Sequence, residues 1–170
     1  MIYIFTGNGP GKTTAALGLA LRSLGHGLKV VIIQFLKGRK DIGEYKIGKK
    51  LGPRYQIYQF GRKDFINLKK PESVDFKLAQ NGLNFAKQIL KNRKPDLLIL
   101  DEINLAAKTK ILPLKEVLKF LKTIPRKTNV VLTGNPVPKE FIKLADGVSE
   151  IRKIKHPFNK GVKAIRGLEY

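Results

Sequence analysis

A glycine-rich turn between a strand-like run and a helical pattern is the feature that most restricts how this chain can fold. Ile2–Thr6 is a run of β-branched and aromatic residues, which is typical of a β-strand. Five residues, Gly-Asn-Gly-Pro-Gly at positions 7–11, follow at once and lead into Lys-Thr-Thr. From Thr13 apolar residues recur at helical spacing until Gly-His-Gly at positions 25–27 ends the helix. This order predicts a βα unit of a parallel sheet.

The turn has the composition of a phosphate-binding P-loop. In such a loop, backbone N–H groups and a helix N-terminus surround the phosphates, a lysine reaches the phosphoryl oxygens, and a hydroxyl binds magnesium. Lys12 and Thr13 match the last two roles, although Thr6 stands where the general pattern has its first glycine. The alternative is a glycine-rich turn without a ligand. The predicted nucleotide-binding residues are Thr6, Gly7, Asn8, Gly9, Gly11, Lys12, Thr13 and Thr14.

An acidic pair, Asp101 and Glu102, follows the apolar run at positions 97–100. An acid at the carboxyl end of a buried strand near a P-loop can hold magnesium directly or through water. The alternative is a strand-end acid that only caps the next turn. We predict that Thr13, Asp101 and Glu102 hold Mg²⁺ or Mn²⁺, and that Lys12, Thr13 and Glu102 are the catalytic residues.

Strand and helix signals alternate along the rest of the chain. Strands are predicted at Val30–Phe35, Tyr55–Phe60, Asn129–Thr133 and 148–154, and helices at 78–90, 114–121 and 141–145. Residues 37–70 are predicted to be a long surface excursion in which Tyr55–Phe60 is the one strand candidate. This alternation predicts a single α/β domain over residues 1–170, with a mostly parallel sheet flanked by helices.

The composition restricts the function classes. Cysteine is absent, which excludes disulfides, Cys-based zinc sites, iron–sulfur clusters and a thiol nucleophile. No signal-peptide pattern and no apolar run long enough to cross a bilayer is seen, so we expect a cytoplasmic protein with no membrane partner. The net charge of +21 makes a nucleic-acid-binding P-loop ATPase an alternative function.

Several separated blocks resemble one known family, the P-loop type of ATP:corrinoid adenosyltransferase. In order along the chain the blocks are residues 6–9, 11–18, 25–27, 34–38, 43–44, 100–104, 132–134, 145–146, 155–158, 161–164 and 167–170. They span nearly the whole chain, so the match is more specific than a P-loop alone. The resemblance implies a RecA-like P-loop fold and a homodimer.

The resemblance also implies a reaction. A cob(I)alamin or a precursor such as cobyrinic acid a,c-diamide attacks the 5′ carbon of ATP through Co(I), and tripolyphosphate leaves. Because the cobalt is the nucleophile, the protein needs no activated serine or cysteine. In this family the nucleotide is thought to lie reversed in the loop, which exposes its 5′ carbon. The basic surface is predicted to dock an acidic flavoprotein reductase, and nucleic acid is not the expected partner. A carrier of the adenosylated corrinoid is a further alternative.

The chain departs from the family pattern at three positions. Pro10 stands where the family usually has Lys, which removes one backbone N–H and one positive charge. The family's Phe-x-Trp segment, thought to crowd the lower face of the corrinoid, aligns with Phe65 and Asn67, so that only Phe65 remains as a corrinoid-contacting residue. Asn135 replaces the Arg that usually follows Thr-Gly.

Overall fold

Strands and helices alternate through the computed structural model, which describes residues 1–64 and 66–169. The strands are β1 (Ile2–Thr6), β2 (Val30–Phe35), β3 (Tyr55–Phe60), β4 (Leu97–Asp101), β5 (Asn129–Thr133) and β6 (Gly147–Glu150). The α-helices are α1 (Lys12–Gly25), α2 (Gly43–Gly48), α3 (Ser73–Asn92), α4 (Ile103–Lys108), α5 (Leu114–Lys122) and α6 (Lys139–Leu144). A 3₁₀ turn spans Pro157–Lys160. None of the described helices combines the length and apolar character needed to cross a membrane.

The strands form one sheet in the order β3-β2-β4-β5-β1-β6, and every neighbouring pair is parallel. Helix α1 packs on one face, where Ala16 and Ala20 meet Ile32 and Ile99. Helices α3, α4 and α5 bury the larger apolar cluster on the other face. Since both faces are covered, β2 and β4 are buried along their whole length. The predicted parallel α/β sheet is confirmed.

The carboxyl ends of β1, β2, β4 and β5 meet at one edge of this sheet. In the register, Gln34 at the end of β2 lies beside Asp101 at the end of β4. Strand β5, which ends in Thr133, separates β4 from β1 and its glycine loop. Ligands of open parallel sheets bind beyond the carboxyl ends of the strands, so this edge is where a site is expected.

The last strand is shorter than predicted. The sequence pattern predicts a strand over 148–154, but β6 ends at Glu150. The Ile151 N–H still donates to the carbonyl oxygen of Thr6 (2.8 Å), whereas the Ile151 carbonyl accepts from the N–H of Gly9 (2.8 Å). The chain therefore leaves the sheet at Ile151 because it turns onto the glycine loop.

The prediction for residues 37–70 was wrong in part, because this segment contains helix α2 as well as β3. Helix α2 is only six residues long, has no buried residue, and packs against β3. Helix α4 was also not predicted. Helix α3 begins earlier than the predicted residue 78, because Glu72 and Asp75 form a capping box at its start.

Candidate functional site

The glycine loop lies directly on the segment that follows β6. Gly7 has a φ of 102°, and a Cβ at this position would lie 2.3 Å from the carbonyl oxygen of Ile151. A Cβ on Gly9 would lie 2.8 Å from the same oxygen. Asn8 adds a hydrogen bond between the loop and this segment, since its Oδ1 accepts from the N–H of Lys153 (3.0 Å). Only glycine fits at the two close approaches.

Lys12 bends back over the mouth of the loop. Its Nζ donates to the carbonyl oxygens of Gly7 (2.9 Å) and Gly9 (2.8 Å). Gly11, in the left-handed region with φ 101°, directs the chain into α1, and Thr14 Oγ1 donates to the Gly11 carbonyl (3.0 Å). The ammonium of Lys12 and the N-terminus of α1 therefore present positive charge at the same place.

Asp101 is the buried centre of a hydrogen-bond network that joins three elements. Its side chain is 1% exposed. Thr13 from α1 and Thr133 from β5 both donate a hydroxyl to Oδ1, at 2.9 and 2.5 Å. Gln34 from β2 donates from Nε2 to Oδ2 (3.0 Å). The carboxylate thus holds the first turn of α1 against the ends of the strands.

Lys37 completes this network, although no sequence motif predicts a role for it. Its Nζ lies 2.7 Å from Asp101 Oδ2 and donates to Thr13 Oγ1 at 3.0 Å. Burial alone would lower the pKa of Lys37, but the charges of Asp101 and Glu102 raise it above its usual value. Burial alone would raise the pKa of Asp101, but the charge and hydrogen bond of Lys37 hold it below its usual value. At neutral pH the two groups form a buried ion pair.

Glu102 stands beside this pair in a strained backbone conformation. Its φ is 63°, and its N–H donates to Thr133 Oγ1 (3.0 Å). Burial raises the pKa of Glu102, and the charge of Asp101 raises it further, although Lys37 and Lys12 act in the opposite direction. The environment of Glu102 therefore disfavours the charged carboxylate, and a bound cation would stabilise it.

Replacing Glu102 by glutamine should raise the melting temperature of the nucleotide-free, metal-free protein by a few degrees at pH 7, and should lower activity. The folded protein binds the Glu102 proton more tightly than the unfolded chain does, so the carboxylate costs stability above its raised pKa. This gain in melting temperature should vanish as the pH falls below 4.5, the ordinary pKa of a glutamate, because Glu102 is then protonated in both the folded and the unfolded protein. Thermal melts from pH 4 to 8 measure it. The exposed Glu140 on α6, changed to glutamine, is the control, and an equal melting temperature at pH 7 would contradict the burial argument.

Five of the eleven predicted site residues line one cavity of about 1060 Å³, namely Gly11, Lys12, Thr13, Thr14 and Glu102. Its walls include Lys12, Thr13, Lys37, Glu102 and His156. Thr6 and Asp101 are buried beneath it, and Thr6 Oγ1 donates to Asn135 Oδ1 (3.4 Å). The structure therefore brings the predicted phosphate-binding and metal-binding residues together. Phe65, the predicted corrinoid contact, lies outside the described residues.

The oxygen atoms around Asp101 fit a divalent cation. An ammonium already lies between Thr13 Oγ1 and Asp101 Oδ2, which shows that a positive charge is accommodated there. Hydroxyl and carboxylate oxygens are the ligands that Mg²⁺ prefers, and in nucleotide sites the phosphates and water supply the others. The described residues hold no cluster of three or more acidic or histidine ligands.

Four further residues contact the site without having been predicted as site residues: Gln34, Lys37, Glu44 and Thr133. Gln34 Nε2 also donates to Glu44 Oε1 (3.3 Å), which ties α2 to the network. All four lie in the blocks 34–38, 43–44 and 132–134 that carry the family resemblance. Position is a second signal, since Thr133 ends β5 and Gln34 and Lys37 stand on either side of the end of β2. Using it required the strand order, which places β2 and β5 on either side of β4.

Comparison with known proteins decides the family. The family model described as ATP:corrinoid adenosyltransferase BtuR/CobO/CobP matches residues 1–170. The chain belongs to this family. The corrinoid adenosyltransferase of Escherichia coli (strain K12) is 38% identical over 170 residues, which are 100% of this chain and 85% of that protein. The corrinoid adenosyltransferase CobA of Salmonella typhimurium is 36% identical with the same coverage. The resemblance stated from the sequence blocks is confirmed.

A solved structure adds support for the architecture of this adenosyltransferase. The KaiC-like protein of Pyrococcus horikoshii OT3 superimposes with a TM-score of 0.60 at 19% identity, covering 91% of this chain and 74% of its own. At that identity the likeness concerns the fold alone. The predicted RecA-like P-loop fold is confirmed.

All three departures from the family pattern lie in the described residues. Pro10 is exposed at the tip of the loop and lines the cavity, so the missing N–H and charge are lost at the site itself. Asn135 is exposed and accepts from Thr6. At the third, Asn67 Oδ1 accepts from the N–H of Lys69 (3.1 Å), whereas Phe65 is outside the described residues.

Proposed function

We propose that the cavity at the carboxyl edge of the sheet is the ATP site of an adenosyltransferase, in which Lys12 and the loop amides hold the triphosphate. The convergence of Lys12, Thr13, Lys37 and Glu102 on one cavity carries this proposal. As a member of its family the chain transfers the 5′-deoxyadenosyl group of ATP to a reduced corrinoid and releases tripolyphosphate. The two lysines at this site supply positive charge for a triphosphate, and the Thr13 hydroxyl and the Glu102 carboxylate supply oxygen atoms for a metal ion, which suits that reaction.

The residues of the chain act on the leaving group. The Co(I) of the corrinoid substrate supplies the electron pair that forms the bond to the 5′ carbon, and the C–O bond to the triphosphate breaks. Negative charge then grows on the tripolyphosphate. Lys12, the loop amides and the N-terminus of α1 stabilise that charge in the transition state. The protein also lowers the barrier by holding ATP with its 5′ carbon facing the cobalt, because the reaction between two bound and oriented substrates is effectively unimolecular.

We assign the metal site to Thr13, Asp101 and Glu102. A bound Mg²⁺ or Mn²⁺ would neutralise charge on the triphosphate as a Lewis acid. The Thr13 hydroxyl, anchored by Asp101, is the ligand nearest the loop. Glu102 lines the same cavity, and its disfavoured charge is relieved by a cation.

The deciding assay supplies ATP, magnesium and chemically reduced cobalamin to the protein and identifies the phosphate product. Tripolyphosphate together with an adenosyl–cobalt absorbance supports the adenosyltransferase. ADP and phosphate stimulated by DNA or RNA would instead support the nucleic-acid-binding ATPase that the net charge suggests. Corrinoid binding without turnover would support a carrier.

Replacing Phe65 by alanine should slow the corrinoid step by about tenfold or more and leave ATP affinity unchanged, since the family resemblance places this side chain at the corrinoid. Steady-state kinetics with each substrate varied in turn separate the two effects. Phe76→Ala, an exposed phenylalanine on α3, is the matched control. An equal loss of ATP affinity in Phe65→Ala would assign the residue to the nucleotide site.

We further propose a cytoplasmic homodimer, folded as a single domain per chain, that receives electrons from an acidic flavoprotein reductase. The net charge of +21 supports electrostatic steering of such a partner. Rates of cobalt reduction that do not respond to salt would contradict the docking, and a monomer in analytical ultracentrifugation would contradict the dimer.

A further inference from the structure

The loop that carries Lys37 is fixed by its backbone. Leu36 has a φ of 59°, a conformation that costs a branched residue energy. Its N–H donates to the carbonyl oxygen of Phe60 (3.1 Å). A Cβ on Gly38 would lie 2.3 Å from the carbonyl oxygen of Gly61, so the loop packs backbone to backbone on the chain after β3. The position of Lys37 is therefore set by its surroundings on both sides.

The ammonium of Lys37 takes oxygen atoms that the proposed metal site also requires. It lies 3.0 Å from Thr13 Oγ1 and 2.7 Å from Asp101 Oδ2. The Thr13 hydroxyl already gives its proton to Asp101 Oδ1, so its acceptor side faces Lys37. A magnesium ion binds such an oxygen at about 2.1 Å. An ammonium in this place and a metal ion on the same hydroxyl exclude each other.

We propose that Lys37 is a resident cation that fills the metal position while no metal ion is bound and leaves it when a divalent metal ion binds, with or without ATP. This inference rests on the proposed function, because it takes the proposed metal site as given. The ion pair keeps the buried Asp101 neutralised and Thr13 oriented before substrate binds. When ATP is bound together with the metal ion, the released ammonium of Lys37 contacts the triphosphate.

The surroundings of Lys37 allow this movement. Its side chain is 30% exposed and lines the same cavity as Lys12. Four rotatable bonds separate the ammonium from a fixed backbone, so the head can turn toward the loop without any shift of β2. Lys37 is then a second lysine on the leaving group, in a loop where Pro10 has removed the cation that the family usually carries.

The exchange is measured with Mn²⁺ and nucleotide-free protein, by the loss of the electron paramagnetic resonance signal of free Mn²⁺. Lys37→Met keeps the length of the side chain and removes its charge, so it should bind Mn²⁺ about tenfold more tightly than wild type, or more. Lys40→Met, an exposed lysine on the same loop, is the control and should bind as wild type does. Equal or weaker Mn²⁺ binding in Lys37→Met overturns the proposal.

The wild-type protein gives a second measurement that needs no variant to fold. Acetic anhydride labelling, read by mass spectrometry, should modify Lys37 about fivefold faster once Mn²⁺ fills the site, because the ammonium has been released. Lys40 should be modified at an unchanged rate. Unchanged labelling of Lys37 overturns the proposal. Neither measurement uses a corrinoid, so a failure of adenosyl transfer would remove the proposed function without altering these results.

Discussion

Replacing Lys12 by alanine should abolish measurable turnover, with kcat/KM for ATP lowered by about a thousandfold or more. The ammonium is the cation at the mouth of the loop, where it donates to the carbonyl oxygens of Gly7 and Gly9. Those contacts stabilise the fold little, because water can replace the ammonium at a half-buried loop. We therefore expect a melting temperature close to that of wild type. Tripolyphosphate release, measured with ATP and reduced cobalamin in excess, reports the loss.

The control for this variant is Lys115→Ala, which removes an exposed lysine from α5 on the opposite face of the sheet. It lowers the net charge by the same amount and should retain full activity. Near-normal turnover in Lys12→Ala would refute the reversed binding of ATP in the loop. Loss of activity in both variants would mean that net charge matters more than the position of Lys12.

Replacing Asp101 by asparagine should destabilise the protein by about 3 kcal/mol and lower kcat by about a hundredfold or more. The carboxylate is buried and accepts from Thr13, Thr133, Gln34 and Lys37. An asparagine NH₂ group in the place of Oδ2 faces the donors of Gln34 and Lys37 and cannot accept from either, so both contacts are lost. The first turn of α1 then loses its anchor to the sheet.

Urea unfolding measures the stability of Asp101→Asn, and kcat is measured well below the start of its unfolding transition. Asp41→Asn is the matched control, since Asp41 is an exposed carboxylate that pairs with Arg39 on the loop after β2. We expect little change in either quantity for that variant. Wild-type kcat in a destabilised Asp101→Asn would restrict Asp101 to a structural role and leave the metal to Thr13 and Glu102.

Much of the fold could be predicted because its strands carry strong local patterns. The bounds of β1, β2, β3 and β5 agree with the prediction, as each is a short apolar or β-branched run bordered by turn residues. Helices α2 and α4 have six residues each, too few to show a 3.6-residue period. The end of β6 depends on the contact between Ile151 and the glycine loop, which no local pattern contains.

Site residues that belong to a sequence motif could be predicted, whereas residues that only the strand order of the sheet brings together could not. Lys12, Thr13 and the acidic pair were predicted to act in the site because a P-loop motif and an acid after an apolar run can be read from the sequence. Lys37 and Thr133 reach Asp101 only because β2 and β5 flank β4. The role of Lys37 thus follows from strand order, a property that a single sequence does not display.

The contact between the glycine loop and the segment after β6 also bears on when the loop acquires its shape. Asn8 and Lys153 are separated by 145 positions, and Gly7 and Gly9 are seated on residues 151 and 152. Contacts between such distant parts of a chain form late, because a long loop must close first. During synthesis, a ribosome-bound chain that has not yet exposed residue 153 has the whole P-loop motif without the surface that shapes it. The ability to retain a triphosphate should therefore arise only after the sixth strand has left the ribosome and docks against the first.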